Sequence, residues 1–584
     1  MTFRSTSRRT DHSRHAGRRT LYTNLAFGAI LVIALLILAA AAGVSYYNDH
    51  LAAVATVNGH SISKDDLRNR IAIDTWRINS LESQLRNAVS SGRITKAQSD
   101  QQIASLEQTK TNTNTFVAQS LQNLIDNALM NQLAAQQGIA VTAAQIDARL
   151  VLEATTAEAR HAWAIAVTPQ VTAPATTPSA LQLAAAETTI NAAAAQLKAG
   201  TPWDTVAKQA APGDTTFGDL GFFEKDGSPL DPAFLNALFS LPVNGVTPVI
   251  QGADGTFRIG RVTQIIPSSI DPNYQQSIKD AGISIDTYRS AVEGDLVRTA
   301  LSDKVVADAT TKPSLQRHVL EIMMTQQIDQ TTNAPILTDQ VDVAHILYAP
   351  YNASGNGSPV PSGDPGWEVA HQHALATYYA LLKDPSQFAA IAKRDSADTG
   401  SAANGGDLGY LTQASLVKPF GDAIFKPGLV KGEILPPVQT QFGWHVIEFL
   451  GRRTPAITAM NGLTLQLAQA GANFGAIAKA NSTAADASSG GDMGWIAPYQ
   501  LDQTLEGAIA ATAVGKVSGV ITDGNNLYLF KVIDEQTRLP DASQIATLKS
   551  SAFQNWYTAQ RAKAVITTDP AFTVAGTGAS APGG

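Results

Sequence analysis

SADTGSAANGGDLG, residues 396–409, is the stretch from which the rest of this 584-residue chain can be read. Its paired glycines, Gly405 and Gly406, ask for a turn with φ > 0 that side chains avoid. A helix precedes the glycine turn, and a second helix and a strand follow it. Further out stand a strand VDVAHILY, a Pro/Gly/Ser loop from Ala349 to Gly366 and a helix from Trp367 to about Leu382. SLVKPFGDAIF and a closing hairpin ending in QFGWHVIEFL follow. Strands and helices in this order predict a small antiparallel sheet flanked by helices, an α+β unit from Val341 to Arg453.

The same order recurs. WDTVAKQAAPGDTTFGDLGFF, DPAFLNALFSL and FRIGRVTQII mark a copy at about Ala159–Pro267. FGAIAKANSTAADASSGGDMGWI, LEGAIAATAVGKVSGVI and NLYLFKVID mark a shorter one at about Thr464–Glu535. A glycine turn at one position in all three makes this an internal repeat. The third copy reads as having lost its first strand. The region from Gly282 to Met324 reads as helical.

Ahead of the repeats, a short strand at Val54–Val57 turns at Asn58-Gly59, and Ser63 with Asp66 can cap a helix. Phe116, Leu121, Leu124, Ile125, Leu129 and Leu133 then follow a period near 3.6. This predicts an all-helical module whose apolar stripe either packs its own bundle or offers a groove to a client. At the N-terminus, Arg4, Arg8, Arg9, Arg14, Arg18 and Arg19 face a single Asp11, and Leu25–Val44 carries no charge. As a helix that run spans roughly 30 Å of hydrocarbon. The basic flank predicts a single-pass anchor in the cell membrane with the N-terminus cytoplasmic and the remainder extracytoplasmic. A cleaved secretory signal is the rival reading, and it exports the same residues.

The net charge is −7, more acidic still without the N-terminal segment, which argues against a nucleic-acid groove. With no cysteine, thiolate nucleophiles, disulfides and zinc-thiolate sites are excluded. No GxSxG or HExxH motif occurs to support a hydrolase. His371 and His373 stand two apart in a helix, point away from each other and make no metal pair.

His345 in AHIL, the Ser396–Gly409 stretch, Lys418-Pro419-Phe420 and TQFGWH ending at His445 together resemble the parvulin (PpiC-type) prolyl isomerases. The whole chain resembles the exported SurA- and PrsA-type foldases, in which helical chaperone segments flank parvulin domains. The resemblance implies a catalytic group of His345, Asp398, His445 and Thr440. It also implies a proline pocket of Leu408, Leu416 and Phe420, with no cofactor and no metal. It divides the chain into a basic segment (1–24), an anchor (25–44), a helical SurA N-terminal-like module (53–157) and a degenerate parvulin-like domain (158–267). A helical segment (268–330), the complete domain (341–455), a truncated repeat (456–541) and a C-terminal helix with disordered tail (542–584) follow. Both outer copies are expected to be inactive, the first holding His161 on its strand but no terminal histidine. The expected partners are unfolded or partly folded exported proteins presenting Xaa-Pro segments, and the membrane. The alternative is a holdase that binds such clients without catalysis.

Overall fold

The structure is a computed structural model that describes residues 35–171, 177–214, 216, 218–350 and 360–572. The basic segment, the first part of the expected anchor and the tail after Ala575 lie outside the described residues. Among the described residues no helix is long and apolar enough to cross a membrane. The chain forms two compact units, one of residues up to Lys304 with those from Gln560 onward, the other Val305–Ala559.

In the first unit, β1 (Ala53–Val57) and β2 (His60–Ser63) form a hairpin whose turn is Asn58 (φ 49°) and Gly59 (φ 84°). Positive φ at both central residues matches the twist of the strands they join. Ser63 and Asp66 cap α1 (Lys64–Ser90) reciprocally. After α2 (Lys96–Thr111) comes α3 (Thr113–Gln136), whose Leu121, Ile125, Leu129 and Leu133 are buried, so the stripe packs inward. Thr142 and Gln145 form the same kind of capping box on α4 (Ala143–Glu153). The first repeat follows, a four-stranded antiparallel sheet. It holds β3 (Ala159–Val167), β4 (Asp219–Glu224), β5 (Ile250–Gln251) and β6 (Phe257–Ile266) in the order β4-β3-β6-β5.

The second unit corrects the expectation for the third repeat. The region to Met324 is not helical throughout. After a helix ending at Thr311, residues Ser314–Thr325 form a long strand, β7. The middle repeat then supplies β8 (Gln340–Tyr348), β9 (Asp407–Thr412), β10 (Glu433–Thr440) and β11 (Gly443–Arg453), in the order β9-β8-β11-β10. Only afterwards come β12 (Asp492–Ile496), β13 (Ile521–Asp523) and β14 (Asn526–Arg538), which build the sheet β12-β7-β14-β13. The third repeat therefore has its first strand, and the whole middle domain is inserted behind it. Topology permits this because the inserted domain begins and ends on paired strands. Gln340 lies opposite Arg453, so entry and exit are neighbours.

Each sheet of this unit has a core on both faces. In the middle domain Ala344, Ile346 and Tyr348 of β8 pack under the helix Pro365–Lys383. The alternate residues Val341 and Val343 pack with Phe420 and Ile424 on the other side. Past the last sheet, the helix Ala542–Arg561 leads to an unexpected strand, β15 (Ile566–Thr568), which pairs with β1.

Candidate active site

The middle domain gathers its functional side chains on the Phe420 face. His345 sits opposite Ile447, while His445 sits opposite Leu347, so the two histidines are diagonal neighbours on the same face of β8 and β11. Their rings stack at 5.2 Å between centroids with an 18° tilt, and their Nδ1 atoms are 3.0 Å apart. Thr440 Oγ1 lies 2.8 Å from His445 Nε2, and Asp398 Oδ2 lies 2.8 Å from His345 Nε2. The four residues form one continuous chain, and His345, His445 and Thr440 are all buried.

The Asp398 end of that chain has a fixed polarity. Hydrogen bonds from Ser401 and His345 hold the Asp398 carboxyl below its ordinary range, so it is an anion that only accepts. Burial pushes His445 down to about 3, aided by the neighbouring His345, so its ring is neutral at physiological pH. His345 Nε2–H donates to the Asp398 carboxylate, and of the two facing Nδ1 atoms one donates and the other accepts. Thr440 Oγ1 closes the chain at His445 Nε2. Thr440 Oγ1 in turn accepts the Phe442 N–H at 3.1 Å.

Phe420 meets both rings edge-on, at 5.8 Å from His345 and 5.1 Å from His445. Leu408 and Leu416 are partly buried and pack in the same cluster. All seven residues singled out from the sequence therefore converge on one spot. The polar floor is internally satisfied, one carboxylate stands at its edge, and an apolar cup rises beside it.

Sequence reasoning missed the parts that hold Asp398. Ser401 Oγ donates to Asp398 Oδ2 at 2.5 Å, and the Gly400 N–H donates to Oδ1 at 3.1 Å. Ser396 Oγ accepts the Leu347 N–H, and the Ala397 N–H donates to the Leu347 carbonyl, tying the loop to β8. Gly406 is the closest approach. At φ 86°, a Cβ there would stand 2.3 Å from the His345 carbonyl oxygen. All of these lie inside the stretch 396–409, where a serine two or three residues from an aspartate was the available signal.

The outer repeats are aligned by their backbones. A β-bulge follows Asp342 in the middle sheet, His161 in the first and His318 in the third. Three residues on, His345, Ala164 and Glu321 each donate their N–H to the glycine of the turn, Gly406, Gly218 and Gly491. His161 is thus not the counterpart of His345; it corresponds to Asp342 and pairs with Asp219 at 3.2 Å. The position of His445 is taken by Arg258 in the first repeat and Tyr528 in the third, by register.

Comparison with known proteins agrees with this repeat. Residues 169–276, 326–453 and 451–534 each match a family described as a PPIC-type PPIase domain, and residues 18–155 match a SurA-like N-terminal domain. The chain is 24% identical over 361 residues to a protein named chaperone SurA of Nitrosospira multiformis, covering 55% of this chain and 76% of that one. It is 49% identical over 72 residues to the foldase protein PrsA of Exiguobacterium sibiricum, covering 12% of this chain and 23% of PrsA. To a probable parvulin-type peptidyl-prolyl cis-trans isomerase of Bordetella bronchiseptica it is 45% identical over 88 residues, 15% of this chain and 33% of the relative. The chain thus spans three quarters of the first of these relatives and a third or less of the other two. It carries three domains of the PPIC-type peptidyl-prolyl cis-trans isomerase family behind a SurA-like N-terminal domain.

Proposed function

We propose that the chain is a membrane-anchored, extracytoplasmic foldase that isomerises Xaa-Pro bonds of exported proteins, and that its isomerase centre is the middle domain. The observation that carries this reading is the unbroken chain Thr440–His445–His345–Asp398 beside the Phe420 cup, which neither outer repeat possesses.

Rotation about an Xaa-Pro bond meets a barrier of about 18–20 kcal/mol and breaks no bond, so neither a nucleophile nor a metal is required. Binding the twisted imide better than either planar form is sufficient. The pyrrolidine ring fits the apolar cup of Leu408, Leu416 and Phe420, which keeps water from one side of the imide. The carbonyl side turns toward the polar edge, where Asp398 is the fixed charge. As the bond twists, amide resonance is lost and the imide charge redistributes. A preorganised charge beside it favours that state without reorganising. The hydrogen-bonded histidine pair keeps the floor rigid.

A binding role accompanies this. In the helical module a cleft of about 550 Å³ is lined by Ile78, Phe116, Gln108, Gln119 and Asn123 among others. Apolar surface with amide groups suits extended backbone, and it supports the holdase reading as a companion activity. The anchor rests on the residues quoted above, Leu25–Val44 and the arginines before them.

Isomerisation of blocked Xaa-Pro peptides by the full-length chain tests the enzymatic part, and the expected result is acceleration that saturates with peptide. Fractionation of intact cells, with protease added from outside, tests the anchor. Sedimentation with membranes and cleavage of residues beyond 50 are expected. A soluble chain protected from protease contradicts the placement.

A further inference from the structure

The third repeat keeps the cup and changes the floor. Its bulge puts Glu321 at the position of His345 and Tyr528 at that of His445. Gly491 cradles Glu321 as Gly406 cradles His345, since a Cβ at Gly491 would stand 2.0 Å from the Glu321 carbonyl oxygen. The Gly491 N–H donates to the Asp486 carbonyl at 3.0 Å, as the Gly406 N–H does to that of Ser401 at 2.9 Å, so Asp486 replaces Ser401. Glu321 lies on the β7 face of Val319 and Met323, which pack with Met493, Leu501, Leu505 and Tyr528.

Two observations set this site apart from a merely decayed one. Glu321 is 9% exposed, and its carboxyl has no hydrogen bond or ion pair among the described residues. Asp486 Oδ1 is buried with no hydrogen-bond partner either. Buried carboxylates are ordinarily paired. Burial pushes both acids up, Glu321 to about 7 with the charge of Asp486 adding to it. Asp502 and Asp523 add further negative charge around Tyr528. The basic side chains of β7 are already engaged, His318 with Asp492 and Arg317 with Glu535. The site thus presents an apolar wall, an unpaired glutamate and an aspartate oxygen without a partner, and what it lacks is a cation on an apolar stem.

We propose that the third repeat is a second peptide-binding site that seats a lysine or arginine of an extended client segment. The aliphatic stem lies against Met493 and Leu505, and the charged head reaches Glu321 and Asp486. This goes beyond the isomerase reading and stands without it, because no residue of the middle domain takes part.

The test uses the full-length chain and two blocked, proline-free peptides that differ only in a central lysine or norleucine. Binding is followed by fluorescence anisotropy at about pH 8, above the Glu321 value. The lysine peptide is expected to bind about tenfold or more tightly, as for a charge-assisted hydrogen bond. That preference is expected to vanish in the Glu321→Gln, Asp486→Asn variant and to survive Asp398→Ala. Equal binding of the two peptides, or a preference that survives the double variant, overturns the proposal. Glu321→Gln alone guards against misfolding. Hydrogen exchange of the β7 amides is expected to be as slow as in the wild type or slower, since an unpaired buried acid is removed. Faster exchange makes Glu321 a structural residue and also overturns the proposal.

Discussion

The Nδ1 atoms of His345 and His445 face each other at 3.0 Å, so at any moment one ring must donate and the other accept. Asp398 at one end of the chain is an anion, and the buried His445 ring at the other is neutral. The first prediction follows from the neutral state. His445 ring resonances are expected to stay in the neutral form from about pH 8 to pH 5, below the ordinary histidine value. A transition near 6.5 contradicts it.

The same shift has a sign for stability. The folded value of His445 lies below the unfolded one, so between about 6.5 and 3 the unfolded chain holds the extra proton. Stability from this group is complete above that window and falls as pH drops through it, by up to roughly 1.4 kcal/mol per pH unit. Asp398, also depressed, adds a loss only at still lower pH, below the unfolded carboxylate value. In a His445→Gln variant the slope of middle-domain stability between pH 6 and 4, read from exchange of β8 and β11 amides, is expected to flatten by about one proton. An unchanged slope contradicts the burial argument.

The cup residues divide by burial. Phe420 is 3% exposed and belongs to the domain core, so Phe420→Ala is expected to cost about 3–5 kcal/mol of stability as well as activity. Leu408 is only partly buried. Leu408→Ala is expected to cost about 1 kcal/mol while raising KM severalfold. Urea unfolding beside peptide kinetics checks the split, and equal stability losses at the two positions contradict it.

Gly406→Ala is expected to cost at least about 2 kcal/mol, because a Cβ would collide with the His345 carbonyl and φ is positive. Activity is expected to fall further than stability, since the 396–409 loop carries Asp398. Kinetics on the fraction still folded measure this, and wild-type rates from that fraction contradict it.

The inserted topology is testable by excision. Val341 and Arg452 face each other across β8 and β11, so a two-residue Asn-Gly turn can replace residues 342–451. The third sheet is expected to survive with β7 protected from exchange, because shortening an already closed loop changes stability little. Loss of β7 protection contradicts the assignment of this strand to the third repeat.

How much of this was legible depended on range. The site was readable because Ser396–Gly409 is local, a turn whose glycines, aspartate and following strand are neighbours in sequence. The module caps at Ser63 and Thr142 were readable for the same reason. The strand β7 was not, since its partner β14 lies about two hundred residues away, beyond a complete domain. HVLEIMMT also offers a glutamate where a histidine was sought. His161 misled for a related reason, because the bulge that shifts the register by one residue leaves no mark in composition. Ser401 looked like one more small residue in a Gly/Ala-rich loop until the fold brought it to Asp398.

The most direct test of the central claim is isomerisation of a blocked Xaa-Pro peptide by the full-length chain against its Asp398→Ala variant, with Glu321→Gln as control. A fall in kcat/KM of about a hundredfold in Asp398→Ala alone, with Glu321→Gln unchanged, is the predicted result. Undiminished activity in Asp398→Ala would remove the fixed charge from the isomerase centre and contradict the account.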